Sequence, residues 1–131
     1  MQSEVLFVYG SLLGGEPNCS FLAGMKAVEG RARGSLYRLP AGYPALVPDA
    51  GGVWVQGELV TITDPVRLRV LDGLEGVGQG FYRRERLAVS TRGRMVEAWA
   101  YVMDGAAVRQ RGGVLLRTGD WRRVSGGREQ G

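Results

Sequence analysis

Val5-Leu6-Phe7-Val8-Tyr9 is apolar at every position. A strand with one wet face alternates apolar and polar side chains, so a strand apolar on both faces must be covered on both. The segment therefore specifies a central strand, and the rest of the chain has to wrap it. Ala27 to Leu39 reads as a strand containing Gly30 and Gly34, where glycine suggests a bulge or tight bend. Tyr43 to Pro48 is a Pro-bounded extended stretch, Gly51-Gly52 a turn, and Val53 to Ile62 a further strand. Phe81–Thr91 and Met95–Met103 form two more, joined by the hairpin signal Arg92-Gly93-Arg94. Pro17 to Gly24 has the punctuation of a short helix. Asp64-Pro65 starts another, with Asp as the cap and Pro at the first helical position, running to Leu74 or Glu75. Beyond Gly105 the pattern weakens to the short apolar run Val114-Leu115-Leu116. Short strands with glycine bends favour a small closed or half-closed barrel over a parallel sheet. The expected fold class is α+β, a small β-barrel with short helices.

No linker or internal repeat divides the 131 residues. One domain over residues 1–124 is expected, followed by a disordered tail over 125–131. A chain of this length buries roughly two-thirds of its unfolded surface, enough for one sizeable core. No apolar run reaches membrane-spanning length and no signal-peptide pattern is visible, so no membrane partner and a cytoplasmic location are expected.

Histidine is absent, which removes Ser-His-Asp and Cys-His nucleophiles. With Cys19 as the single cysteine, an internal disulfide is impossible and a His or Cys zinc site is not expected. Acid–base chemistry falls to Asp, Glu, Tyr, Lys or a chain terminus. Of the 17 basic residues, 16 are arginine, scattered along a chain of net charge +4. Without interleaved aromatics they carry no RNA-binding signature, and nucleic acid is not an expected partner.

Two places could carry chemistry. Glu75 lies four residues after Leu71, on the helix side shared with Val66, Val70 and Leu74. If the helix reaches it, partial desolvation and the helix C-terminus both raise its pKa, which suits a general acid/base near neutral pH. If the helix stops short, Glu75 is an exposed loop residue. The second place is Gly10-Ser11-Leu12-Leu13-Gly14-Gly15, whose backbone N–H groups can form a nest for a carboxylate or oxyanion. Its glycine spacing fits neither a Walker motif nor a dinucleotide fingerprint. Ser11 has no histidine partner and reads as a hydrogen-bonding group; the whole loop could also be a plain strand-to-helix turn. Tyr43 before Pro44 could wall a pocket or simply pack, Tyr82 sits beside Arg83 and Arg84 at a strand start, and Trp121 is a candidate to close over the site.

Six segments in order resemble the gamma-glutamylcyclotransferase-like family. Phe7-Val8-Tyr9-Gly10-Ser11-Leu12 is similar to its FVYGSL opening, with Asn18 a few residues on. Gly42-Tyr43-Pro44-Ala45-Leu46-Val47 resembles its YPxLV segment, and Val55-Gln56-Gly57-Glu58-Leu59 its VxGEL strand. Leu71-Asp72-Gly73-Leu74-Glu75-Gly76 and Phe81-Tyr82-Arg83-Arg84 look like the LDxxEG…YxR stretch that carries the catalytic glutamate. Thr118-Gly119-Asp120-Trp121 resembles the SGDW ending of short bacterial members. The resemblance implies a small mixed β-barrel and a reaction in which a gamma-glutamyl α-amine attacks its own γ-carbonyl, releasing 5-oxoproline and an amine or amino acid. It implies no metal or cofactor. Glu75 would be the catalytic acid/base. Tyr9, Gly10, Ser11, Leu12, Tyr43 and Tyr82 would bind a small gamma-glutamyl substrate. The alternative is a non-catalytic small-ligand-binding module of the same fold. The leaving group and oligomeric state are not legible.

Overall fold

The computed structural model describes residues 4–10, 25–40, 42–74 and 82–121. These form β1 (Glu4–Val8), β2 (Ala27–Arg38), β3 (Pro44–Pro48), β4 (Val53–Ile62), α1 (Pro65–Leu74), β5 (Arg83–Thr91), β6 (Arg94–Val102), α2 (Gly105–Gln110) and β7 (Val114–Leu115). The apolar opening segment is the central strand its sequence requires. It pairs antiparallel with β4 and parallel with β6, and Leu6, Phe7 and Val8 are all buried.

The strand pairings close a ring. β2 pairs β4, β4 pairs β1, β1 pairs β6, β6 pairs β5, and β5 returns to β2 through Arg31 opposite Ser90. The Thr91 hydroxyl donates to the Glu29 carbonyl at 2.7 Å beside that seam. The result is a closed five-strand barrel with one parallel pair, which leaves no open edge in the ring. β3 and β7 pair the far end of β2. Alternate residues of β2, from Gly30 to Leu36, face inward and are buried, meeting Val55, Leu59 and Val89 in the main core. A second, smaller core of Leu39, Ala45, Met103 and Val108 lies under α2.

Gly30 and Gly34 do not break β2. Both lie in its continuous ladder with β4, and the missing Cβ is a packing requirement: a Cβ on Gly30 would come within 2.9 Å of Val89 Cγ1, and one on Gly34 within 2.7 Å of Leu46 Cδ1. The β5–β6 hairpin turns on Arg92 and Gly93, both at positive φ (50° and 78°), as a two-residue turn matched to strand twist requires. Asp64 caps α1 as its sequence suggests, its carboxylate accepting the Val66 N–H at 3.0 Å. The helix buries Leu68 and Leu71, whereas Val66 and Val70 are about half exposed. The apolar stripe assigned from sequence is therefore partly wrong, because the contact with the barrel is narrower than the apolar face of the helix.

Candidate active site at one end of the barrel

Strand directions decide where the motif residues meet. β6 runs parallel to β1, β4 antiparallel to it, and β2 antiparallel to β4, so β1, β2 and β6 all end at the same end of the barrel. β3 and β5 run against β2 and β6 respectively, so both begin there. The chain turns into Tyr9-Gly10 at this end, and Tyr43-Pro44 and Tyr82-Arg83 enter it.

Direct contacts bind these segments together. The Tyr9 side chain is buried; its hydroxyl donates to the Tyr101 carbonyl at 2.5 Å and accepts the Leu46 N–H at 3.2 Å. The Tyr82 hydroxyl donates to the Pro44 carbonyl. A Cβ on Gly10 would overlap the Pro44 ring, so the chain can leave β1 this close to β3 only with glycine there. Tyr43 is held by a tight turn in which Leu39 N–H donates to its carbonyl at 2.8 Å, and the residue is 59% exposed. Four of the sequence-derived binding residues, Tyr9, Gly10, Tyr43 and Tyr82, thus converge on β3. Ser11, Leu12, Asn18, Cys19 and Glu75 lie outside the described residues, as do the expected helix over 17–24 and the expected tail over 125–131.

The last turn of α1 is attached to the same end. Arg84 Nη2 donates to Asp72 Oδ2 at 3.2 Å, and Arg84 Nε meets Oδ1 at 2.9 Å as an ionic contact without hydrogen-bond alignment. The Tyr101 hydroxyl donates to the same Oδ1 at 2.8 Å. Tyr101 therefore joins two segments: its carbonyl holds Tyr9 and its hydroxyl holds Asp72, three residues before Glu75. Sequence reading passed over Asp72, Arg84 and the polar role of Tyr101. The Leu71-Asp72 and Tyr82-Arg83-Arg84 motifs were the available signal, but nothing in the order of residues says that they bond to each other.

At the start of β5, Arg83 pairs with Asp104 and Glu85. Hydrogen bonding to Asp104, then to Glu85, raises its pKa above the ordinary arginine value. Trp121 is buried in the main core, and Gln56 N–H donates to the Gly119 carbonyl at 2.7 Å, so the Thr118–Trp121 segment packs along β4. Among the described residues no three His, Cys, Asp or Glu side chains cluster as metal ligands, and no helix is long and apolar enough to cross a membrane.

Solved structures share this architecture. YkqA from Bacillus subtilis is 25% identical over 98% of this chain with a TM-score of 0.75; this chain spans only 44% of that protein. An AIG2-like protein from Mus musculus is 26% identical over 79% of this chain and 78% of its own, with a TM-score of 0.61. A structure named gamma-glutamyl cyclotransferase shares the fold at 18% identity, covering 85% of this chain and 81% of its own, with a TM-score of 0.66. No curated protein matches significantly. The family described as gamma-glutamyl cyclotransferase, AIG2-like, matches residues 6–123. With the barrel, its mixed strand order and the convergence of the opening, YPxLV and YxR segments at one end, the chain belongs to the gamma-glutamyl cyclotransferase, AIG2-like family.

Proposed function

We propose that this protein is an enzyme that cleaves a gamma-glutamyl amide by internal cyclisation. The substrate α-amine attacks its own γ-carbonyl carbon. The new C–N bond closes the 5-oxoproline ring, and the original amide C–N bond breaks to free the amine. Glu75 takes the proton from the attacking amine and returns one to the leaving nitrogen, as a general acid/base. Backbone N–H groups of the Tyr9–Leu12 loop hold the glutamyl end or the developing oxyanion. Because the reacting groups are already in one molecule, the protein's main task is to select the folded conformer.

One observation carries this reading: Tyr101 bonds both to Tyr9, at the start of the proposed binding loop, and to Asp72, three residues before the proposed acid/base. Two segments far apart in sequence, each bearing a family motif, are thereby tied to a single strand end. Family membership supports a gamma-glutamyl cyclotransferase-like activity in general terms; the reaction and the role of Glu75 are our reading. The composition agrees, since this chemistry needs no histidine. A small substrate handled without metal or cofactor, by a protein of the cytoplasm, completes the proposal.

The test is mass-spectrometric detection of 5-oxoproline from gamma-glutamyl amines and gamma-glutamyl amino acids incubated with the purified protein. Product formed in equal amount with the free amine is expected. Ligand-induced thermal stabilisation without product from any substrate would replace the enzyme with a binding module of the same fold.

A further inference from the structure

We propose that Arg38 binds a substrate carboxylate at the mouth of the barrel. The inference rests on the reaction proposed above and adds a recognition residue that no motif marks. Arg38 is the last residue of β2 and pairs with Pro44, the first of β3. Paired residues on antiparallel strands share a face, with Cβ atoms roughly 4.5–5.5 Å apart. The Pro44 ring is the group that Gly10 packs against. Arg38 also continues the inward parity of Ala32, Gly34 and Leu36, but at the end of β2, where the residue is exposed. Its side chain thus leaves the strand on the face of Pro44, whose ring lies against Gly10.

Arg38 differs in charge pairing from the arginines of β5. Arg83 pairs with Asp104 and Glu85, Arg84 with Asp72, and Arg86 with Glu97. Among the described residues no carboxylate pairs with Arg38. A planar guanidinium suits bidentate capture of a carboxylate. Gamma-glutamyl substrates offer two: the α-carboxylate of the glutamyl group itself, and that of the leaving group when it is an amino acid.

The experiment compares wild type, Arg38→Gln and Arg38→Lys on gamma-glutamyl-alanine, which carries both carboxylates, and gamma-glutamyl-ethylamide, which carries only the first. Thermal stabilisation by 5-oxoproline is measured alongside. Arg38→Gln is expected to lower kcat/KM by about 10- to 100-fold, mainly through KM, with Arg38→Lys between the two. A loss on gamma-glutamyl-alanine alone assigns Arg38 to the leaving group. A loss on both substrates, with weaker stabilisation by 5-oxoproline, assigns it to the glutamyl end. Wild-type kinetics in Arg38→Gln on both substrates overturns the inference while leaving the reaction standing. If wild type turns over neither substrate, the proposed reaction falls, and the binding measurement decides for Arg38: stabilisation by 5-oxoproline that Arg38→Gln loses supports it, and no stabilisation of wild type overturns it.

Discussion

On β2 and β4, the Arg31 and Arg33 guanidinium carbons lie 4.8 and 4.3 Å from the centre of the Trp54 ring. On β5 and β6, those of Arg84 and Arg86 lie 4.5 and 4.6 Å from Trp99. The geometry is nearly the same and both come from an Arg-x-Arg strand facing a tryptophan, yet their surroundings differ. At Trp54, Arg33 donates to the Gly52 carbonyl at 2.9 Å, and both arginines are exposed. At Trp99, carboxylates arrive from three directions. Asp72 of α1 takes Arg84, Glu97 takes Arg86, and Glu4 of β1 accepts the indole N–H at 2.6 Å. One stack decorates a wall; the other fastens α1 to β5 and β6, which meet the candidate site at one end of the barrel. What a guanidinium–indole pair does is decided by the residues that distant parts of the chain bring to it.

The contrast can be broken at three strengths. Asp72→Ala removes the group shared by Arg84 and Tyr101, both of which are largely buried. A loss of about 2–3 kcal/mol is expected in denaturant unfolding, together with lower turnover because α1 leads directly into Glu75. Tyr101→Phe keeps the ring and removes the hydroxyl that donates to Asp72, at about 1 kcal/mol, and kcat should fall more than KM rises. Replacing Arg31 and Arg33 together by Ala should lower stability by less than about 1 kcal/mol, since exposed cation–π contacts are weak, and steady-state kinetics should be unchanged. If the Trp54 pair proved as costly as Asp72, the distinction between wall and anchor would be wrong.

Much of the fold was legible because its signals are local. β4 was bounded at Val53 and Ile62, as observed, by a glycine turn before it and a capped helix after it. α2 was missed: in six residues it buries only Val108 fully, too little to make a periodic stripe. The overassigned face of α1 has the opposite cause, apolar residues at Val66 and Val70 that tertiary packing leaves in water. At the site, motif order pointed to Tyr9, Gly10, Tyr43 and Tyr82. The bonds linking them were invisible, because Tyr9 reaches a carbonyl 92 residues away and Tyr101 a carboxylate 29 residues away. Closure of the barrel through Arg31 and Ser90 was hidden for the same reason.

The central claim is that Glu75 carries the proton of a cyclisation performed where these segments meet. The most direct measurement is the rate of 5-oxoproline release by wild type and Glu75→Gln side by side, with thermal unfolding and substrate-dependent stabilisation recorded for both. The expected result is a fall in kcat of about 100- to 10,000-fold in Glu75→Gln, with folding and substrate binding retained. Equal rates in the two proteins would contradict it.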